Sequence, residues 1–285
     1  MYGLVVASGK GGTGKSFLAS SFALLLSEKK KIVACDCDVD TPSLGLWLGI
    51  TKYDYIEQID TSEKAIVRAE KCKGCGECIR TCRFDAVKIV DDRAEVNHFL
   101  CEGCGACQIV CKTHAIDIIP VENGEIRINT TQYKFPLVSG SLYPGEVGSG
   151  KIVEELKKRA SNFNAEMGVF DAAAGTGCPV IASVRGSNYA VLVAEPTPSG
   201  FSDLKRIAGV VNHFNIPFGI VINKWNINKD VARKIERWCG GRKLLGKIEY
   251  RKEIIDSIVR LEPVVNRSTE IRENVKEILE KIEVS

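Results

Sequence analysis

The sequence predicts an α/β fold with a mostly parallel sheet, interrupted by a small cysteine-rich α+β domain. Short apolar runs alternate with helical segments at both ends of the chain, as in a parallel sheet covered on both faces. A glycine-rich loop, residues 9–16, separates the first apolar run from the first helical segment. Two four-cysteine motifs break this alternation between about residues 62 and 120.

Strands of the sheet are predicted where a short apolar run ends at a polar or turn-forming residue. These runs are residues 4–8, 31–35, 167–170, 190–194, 218–222 and, more weakly, 243–248. Helices are predicted from apolar residues at helical spacing. They cover residues 15–28, 151–160, 201–213, 228–238 and 269–282. The last helix carries its isoleucines, a valine and a leucine on one face, which favours packing on the core over a membrane anchor.

Composition narrows the class of protein. A length of 285 residues suits about two domains, and 45% hydrophobic with 26% charged residues is ordinary for a soluble globular chain. A net charge of +3 is too small to indicate a nucleic-acid partner. Apolar runs are too short for a membrane span or a signal peptide, so we expect a cytoplasmic protein without a membrane partner.

The glycine-rich loop has the pattern of a phosphate-binding loop. It reads Gly9-Lys10-Gly11-Gly12-Thr13-Gly14-Lys15-Ser16. Its glycines let backbone N–H groups curl around phosphates at a helix N-terminus. Lys15 would reach the β- and γ-phosphates of a nucleotide, and Ser16 would hold Mg²⁺. A plain glycine turn is the alternative, disfavoured by the strand before the loop and the helix after it.

Lys10 makes this loop resemble the deviant Walker A motif of the MinD/ParA/Mrp ATPases, which are P-loop NTPases of the SIMIBI type. The resemblance implies that ATP promotes a homodimer in which Lys10 contacts nucleotide phosphates across the interface. Residues 36–43 look like the first switch of that family. By this resemblance Asp38 would orient the attacking water and Asp36 would lie near the Mg²⁺. A solvated turn at a strand end is the alternative for both aspartates.

Two further segments continue the resemblance. Residues 171–177 resemble the Walker B motif and second switch, so Asp171 would bind Mg²⁺ through water and Gly175 would move with the γ-phosphate. Asn223, followed by Lys224, matches the adenine-side asparagine of the family, although an asparagine in a strand-ending turn is nearly as good an account. The resemblance covers about residues 1–50 and 135–285, and implies that Lys10, Lys15, Asp38 and Asp171 are the catalytic residues.

The cysteine motifs share the spacing C-x2-C-x2-C-x3-C, the run that bacterial ferredoxins use for two [4Fe–4S] clusters. The first motif is Cys72, Cys75, Cys78 and Cys82; the second is Cys101, Cys104, Cys107 and Cys111. An apolar run follows each motif, at residues 86–90 and 115–119, which is the duplication of a small ferredoxin. Paired C-x2-C motifs also occur in zinc sites, but two complete four-cysteine motifs make zinc the weaker alternative.

In two-cluster ferredoxins the fourth cysteine of each motif ligates the other cluster. By that rule Cys111 completes the cluster of Cys72, Cys75 and Cys78. Likewise Cys82 completes the cluster of Cys101, Cys104 and Cys107. Arg83 and Lys112 stand where ferredoxins usually place proline, so the cluster potentials do not follow from the resemblance.

These features divide the chain into an ATPase domain, residues 1–61 and 121–285, and an inserted ferredoxin domain, residues 62–120. A hairpin is predicted around Asn123 and Gly124. Cys35, Cys37 and Cys239 are expected to be small buried residues. Cys178 follows the second switch, where some relatives bridge a cluster between protomers, but Ile181 replaces the second cysteine of the C-P-x-C motif.

The combination predicts an ATPase that couples nucleotide-dependent dimerisation to electron transfer through two clusters. Its cofactors would be ATP, Mg²⁺ and two [4Fe–4S] clusters, and its partner a redox protein that the sequence does not name. One alternative is a cluster assembly or carrier ATPase of the Mrp type, which delivers clusters to an apo-acceptor. A second alternative is a positioning ATPase of the MinD/ParA type whose clusters serve as a redox sensor.

Overall fold

The computed structural model describes residues 1–240 and 243–282. It divides into two compact units. The large unit comprises Met1–Glu57, Ile126–Ser141 and Ser149–Ser285. The cysteine unit comprises Gln58–Glu125 and Leu142–Gly148. The segment 142–148 therefore belongs with the cysteines, whereas the sequence analysis assigned it to the ATPase domain.

Strands and helices alternate along most of the described chain. The strands are β1 (Tyr2–Ser8), β2 (Ile32–Cys37), β3 (Tyr55–Ile59), β4 (Ser62–Val67), β5 (Val87–Val90), β6 (Arg93–Val96), β7 (Ile116–Val121), β8 (Gly124–Thr130), β9 (Pro136–Leu142), β10 (Met167–Ala174), β11 (Tyr189–Ala194), β12 (Phe218–Asn223) and β13 (Leu244–Ile248). The α-helices are α1 (Lys15–Ser27), α2 (Leu44–Trp47), α3 (Glu77–Thr81), α4 (Ala106–Val110), α5 (Ser149–Ser161), α6 (Cys178–Val184), α7 (Pro198–His213), α8 (Lys229–Cys239), α9 (Lys252–Val259) and α10 (Thr269–Glu280).

The main sheet has the order β13-β12-β11-β1-β10-β2-β9-β8-β3. Among the described residues, the neighbouring strands from β13 to β9 pair in parallel, as the apolar strands predict. Asp171 of β10 lies in register with Asp36 of β2. Because parallel strands end at the same edge of the sheet, this register brings the two carboxylates together.

The core of the large unit lies between the sheet and its helices. Apolar side chains of β1, β10 and β11 pack with those of α1 and α10 in one buried cluster. Ile271, Val275 and Ile278 lie on the buried face of α10, as the sequence predicts. Each such side chain contributes about 1.5–3 kcal/mol when fully removed from water.

The predicted hairpin at Asn123 and Gly124 is wrong. The strand before it, β7, pairs with β4, whereas β8 lies between β9 and β3 in the main sheet. Asn123 is fully buried: its Oδ1 accepts from the backbone N–H of Thr61 at 2.9 Å, and its Nδ2 donates to the carbonyl of Val147 at 2.7 Å. The Asn-Gly sequence is typical of an exposed turn. Here the Asn123 side chain is buried instead, because its amide links Thr61 to Val147 through hydrogen bonds.

The cysteine unit has an internal repeat, visible in its strands and its backbone angles. β4 pairs with β7 and β5 with β6, both antiparallel. Left-handed backbone conformations recur at matched positions of the two halves. They are Gly74 and Gly103 (φ 64° and 65°), Gly76 and Gly105 (74° and 75°), and Asp85 and His114 (52° and 50°). The last pair supplies the turn after the fourth cysteine of each motif, where Arg83 and Lys112 replace proline.

None of the helices within residues 1–240 and 243–282 is both long enough and apolar enough to span a membrane.

Candidate functional site

The glycine loop is held on one side by close packing. A Cβ atom on Gly14, whose φ is 95°, would lie 2.2 Å from Nδ2 of Asn223. That Nδ2 donates to the backbone carbonyl of Thr13 at 2.7 Å. On Gly9, a Cβ would lie 2.2 Å from the carbonyl oxygen of Asp203. Glycine is therefore required at both positions, and the Asn223 amide braces the loop.

The other side of the loop is open. No described atom lies within 4 Å of an added Cβ at Gly11 or Gly12. The N-terminus of the 13-residue helix α1 follows directly, with its free N–H groups and the positive end of its dipole. Such an opening binds anions, and phosphate fits it.

Two loop side chains of α1 already meet the first switch. Nζ of Lys15, whose side chain is 6% exposed, lies 3.9 Å from Oδ2 of Asp38. The Ser16 hydroxyl accepts from the Ser43 hydroxyl at 3.1 Å. Lys15 and Ser16 thus lie beside the switch residues that the sequence predicts.

Asp36 and Asp171 form a buried carboxylate pair below the loop, and both are fully buried. Asp36 accepts from the backbone N–H of Leu44 at 2.9 Å and of Asp38 at 3.2 Å. Burial, with the charge of Asp171 added, raises the pKa of Asp36 well above its usual value. Asp36 therefore organises the first switch, and both of its oxygens are already engaged.

Asp171 is the unsatisfied member of the pair. In the part of the chain that the structure describes, neither of its carboxylate oxygens has a hydrogen-bond partner. Burial raises the pKa of Asp171 to about 6, and the positive charge of Lys15 and the nearby Ser16 hydroxyl oppose that rise only in part. A buried carboxylate without a partner is costly, and a hydrated Mg²⁺ beside Ser16 would satisfy it.

Lys10 does not project freely from the loop. Its Nζ lies 2.7 Å from Oε2 of Glu195, whose Oε1 lies 3.3 Å from Nζ of Lys224. Lys224 also donates to the carbonyl of Gly12 at 2.9 Å. Burial raises the pKa of Glu195, but Lys10 and Lys224 outweigh it, so the pKa is lowered. Sequence reasoning missed Glu195, whose signal is its position directly after the apolar strand β11.

The second switch follows β10. The N–H of Gly175 donates to the carbonyl of Ser8 at 3.0 Å, and Gly175 itself has a φ of 97°. Cys178 is exposed at the start of α6. A Cβ on Gly150, in the first turn of α5, would lie 3.2 Å from Cβ of Cys178. The end of the second switch therefore packs directly on α5.

Comparison with known proteins decides the family. Residues 4–264 match the model of the CobQ/CobB/MinD/ParA nucleotide-binding domain. The chain belongs to this family. Its members are typically P-loop ATPases, which agrees with the loop, the lysines and the carboxylates described above.

Relatives from Methanocaldococcus jannaschii share this sequence over most of its length. The uncharacterized protein MJ0578 is 36% identical over 98% of this chain and 95% of its own. The uncharacterized protein MJ0579 is 31% identical over 88% of this chain and 94% of its own.

Solved structures of the family share the fold. The septum site-determining protein MinD of Pyrococcus horikoshii, complexed with Mg-ADP, has a TM-score of 0.62 at 16% identity, covering 99% of this chain and 96% of that one. The MinC:MinD complex of Aquifex aeolicus gives a TM-score of 0.62 at 16% identity, over 100% and 96% of the two chains.

Three cysteines of the large unit are buried. Cys35 and Cys37 are fully buried with their sulfur atoms 3.6 Å apart, and Cys239 is 6% exposed. Burial raises the pKa of Cys239 to about 11. All three match the small packing residues that the sequence analysis expects.

All eight cysteines of the two motifs line two cavities in the cysteine unit. One cavity is lined by Cys72, Cys75, Cys78 and Cys111 and has a volume of about 20 Å³. The other is lined by Cys82, Cys101, Cys104 and Cys107 and has a volume of about 20 Å³. Each cavity thus combines three cysteines of one motif with the fourth cysteine of the other.

Backbone N–H groups are aimed at several of these sulfur atoms. Cys101 accepts from Ala65 at 3.4 Å, Cys72 from Ala94 at 3.3 Å and Cys111 from Ala115 at 3.3 Å. Burial raises the pKa of Cys78 and Cys107. The N–H groups stabilise negative charge on sulfur, and burial keeps water away from it.

The cavities are not arranged for a single metal ion. Among the described residues no three His, Cys, Asp or Glu side chains converge as ligands of one ion.

Proposed function

We propose that the protein is a MinD/ParA-type ATPase that couples ATP-dependent pairing of two copies to electron transfer through two [4Fe–4S] clusters. The observation that carries this proposal is the composition of the two cavities, each lined by three cysteines of one motif and the fourth of the other. That exchange is how two-cluster ferredoxins ligate their clusters.

The residues of each cavity fit such a cluster. Four thiolates per cavity are the donor set that iron–sulfur clusters require. The N–H groups of Ala65, Ala94 and Ala115 would remain on the sulfur atoms and stabilise their charge. When bound, the clusters would supply one-electron carriers; the chain contributes the thiolates, their hydrogen bonds and the apolar surroundings.

In the nucleotide site the proposal gives each residue one task. The loop N–H groups and Lys15 hold phosphate, while Ser16 and Asp171 hold Mg²⁺. Asp38, close to Lys15, orients the attacking water. In a single copy Lys10 pairs with Glu195. In the ATP-bound pair of copies it would leave Glu195 and contact the phosphates of the nucleotide bound to the other copy. Both partners are negatively charged.

Iron and sulfide analysis of the anaerobically isolated full chain tests the cluster assignment. We expect about eight irons per chain, together with EPR signals of reduced [4Fe–4S] clusters after dithionite. Stoichiometric zinc without iron-dependent absorbance would reject the proposal.

The coupling itself needs a second measurement. A ligand shifts a conformational equilibrium only through different affinities for its states, and the coupling of two sites is reciprocal. ATP should therefore change cluster potentials or reduction rates, and cluster reduction should change ATP affinity. Equal potentials with ATP and ADP, together with equal ATP affinity in the oxidised and reduced protein, would contradict electron-transfer coupling.

A positioning ATPase with a cluster-based redox sensor is the second candidate. It is favoured by the match of nearly the whole chain to MinD structures. A sensor would require that cluster oxidation changes ATP hydrolysis or pairing without any net electron delivery to an acceptor. Measuring hydrolysis in the oxidised and reduced protein, and electron transfer to an added ferredoxin, separates the two functions. Transfer of iron to an apo-ferredoxin would instead support a cluster carrier.

A further inference from the structure

The two halves of the cysteine unit hold their first cysteine by the same contact. The N–H of Ala65 on β4 donates to Cys101 of the second motif, and the N–H of Ala94 on β6 donates to Cys72 of the first. Ala65 and Ala94 are therefore equivalent positions of the internal repeat.

A second contact fixes the same equivalence. A Cβ on Gly103 would lie 2.2 Å from the carbonyl oxygen of Glu63, and a Cβ on Gly74 would lie 2.4 Å from that of Asp92. Glu63 precedes Ala65 by two residues, as Asp92 precedes Ala94. The residues between them, Lys64 and Arg93, consequently occupy matching places beside the two cysteine motifs.

These matching residues differ in burial. The Lys64 side chain is 1% exposed, whereas Arg93 is exposed. Nζ of Lys64 donates to the carbonyl of His98 at 2.7 Å and lies 3.1 Å from Oε2 of Glu146. His98 belongs to the turn that leads into Cys101, whose own N–H donates to the carbonyl of Asn97. A buried ammonium thus lies on the turn that positions one cysteine motif, and the other half has no buried counterpart at Arg93.

Glu146 comes from the segment 142–148, which is anchored to the cysteine unit. The N–H of Tyr143 donates to the carbonyl of Asn123 at 2.9 Å, and Asn123 donates to the carbonyl of Val147. Along the chain this segment runs directly into Ser149 of α5, the helix whose Gly150 packs on Cys178 after the second switch. The segment that carries Glu146 is therefore held in the cysteine unit by hydrogen bonds on both sides of Glu146.

We propose that Lys64 is a positioning residue that sets the potential of the cluster held by Cys101, Cys104, Cys107 and Cys82, and that Glu146 moderates its charge. The inference rests on the proposed function, because it needs a cluster in that cavity. Reduction adds negative charge to a cluster, so a nearby buried cation favours the reduced form and a nearby carboxylate opposes it.

Opposite charge changes in the ion pair provide the test. In the iron-loaded full chain, Glu146→Gln leaves Lys64 uncompensated and should favour reduction of this cluster about tenfold, which is about 59 mV for one electron. Lys64→Met should disfavour its reduction by a similar factor. Each cluster is followed by EPR-monitored redox titration, and the cluster of the first motif is identified as the signal that survives in the Cys101→Ser, Cys107→Ser double variant.

The repeat supplies the matched control. Arg93→Met removes the exposed charge at the equivalent position. It should change the reduction equilibrium constant of the cluster held by Cys72, Cys75, Cys78 and Cys111 by less than twofold.

Shifts of the same sign in Glu146→Gln and Lys64→Met, or an equal shift of both clusters, would overturn this assignment while leaving the proposed function intact. If Lys64→Met fails to take up iron, Glu146→Gln decides alone, since an unchanged or lowered potential contradicts the proposal. An iron-free wild type would overturn the proposed function and this inference together.

Discussion

Ionisable side chains differ in their hydrogen-bond partners between the large unit and the cysteine unit. In the large unit Asp171 is buried without a hydrogen-bond partner among the described residues, and burial raises its pKa to about 6. In the cysteine unit the sulfur atoms of Cys72 and Cys101 accept hydrogen bonds from backbone N–H groups, and their motifs line two cavities. The contrast teaches that the carboxylate site leaves buried charge for a ligand to satisfy. The two cysteines already have hydrogen-bond partners within the chain.

Asp38→Ala gives the largest expected effect and is confined to the large unit. ATP hydrolysis should fall about 10²- to 10⁴-fold, because water activation is lost. ATP affinity should change only a few-fold, since the loop and Lys15 remain. Hydrolysis rates and nucleotide titrations measure both, with Asp40→Ala as the control at an exposed neighbouring carboxylate. Normal hydrolysis in Asp38→Ala would remove this residue from the mechanism.

Asp171→Asn tests directly how much the buried carboxylate of Asp171 destabilises the nucleotide-free protein. Above pH 6 the nucleotide-free variant should be more stable than wild type by roughly 3 kcal/mol, while Mg²⁺-dependent hydrolysis is lost. The folded pKa of Asp171 lies above its ordinary value of 3.8. Wild-type stability therefore falls as pH rises from about 4 to about 6, and the advantage of the variant grows over that window. Denaturant unfolding at pH 4, 5, 6 and 8 checks the sign, and a variant less stable than wild type at pH 8 would contradict it.

Lys10→Ala separates nucleotide binding from pairing of two copies. The variant should bind ATP normally but weaken the ATP-dependent dimer about tenfold, equivalent to about 1.4 kcal/mol. Glu195→Gln is the matched control, because it releases Lys10 from its ion pair without removing it. Sedimentation with ATP and with ADP measures both variants. Wild-type dimerisation of Lys10→Ala would show that this lysine does not act across an interface.

Paired cysteine substitutions extend the comparison to the cysteine unit, where the measured quantity is the iron content per chain. Cys72→Ser with Cys111→Ser changes one cavity and should leave about four irons per chain, whereas Cys72→Ser with Cys82→Ser changes both cavities and should leave none. Iron content and EPR distinguish the two variants. The reverse result would mean that each motif holds its own cluster. Nucleotide affinity in both variants should match wild type.

Local signals account for the parts of the fold that the sequence predicts. Strands such as β1 and β10 are continuous apolar runs, and the glycine loop and cysteine motifs have fixed spacings. Asp36 and Asp171 are found because each follows a short apolar run in the sequence. These features need no knowledge of distant partners.

Features that depend on distant partners escape sequence reasoning. Asn123 resembles a turn residue until Thr61 and Val147 are seen on its amide. Lys64 stands in a charged stretch and reads as exposed, because Glu146 is remote in the chain. Glu195 is recognised as part of the site only because its carboxylate forms an ion pair with Lys10. In each case the deciding contact joins segments that no local pattern connects.

The two-part make-up of the cysteine unit has a consequence for synthesis of the chain. Its last segment ends at Gly148, whereas the nucleotide site still needs Asp171 and Asn223. At about 5–20 residues per second, the roughly 75 residues between Gly148 and Asn223 take about 4 to 15 seconds to translate. A nascent chain on the ribosome therefore completes its cysteine unit first, so under the proposed function iron delivery to that unit does not have to wait for ATP.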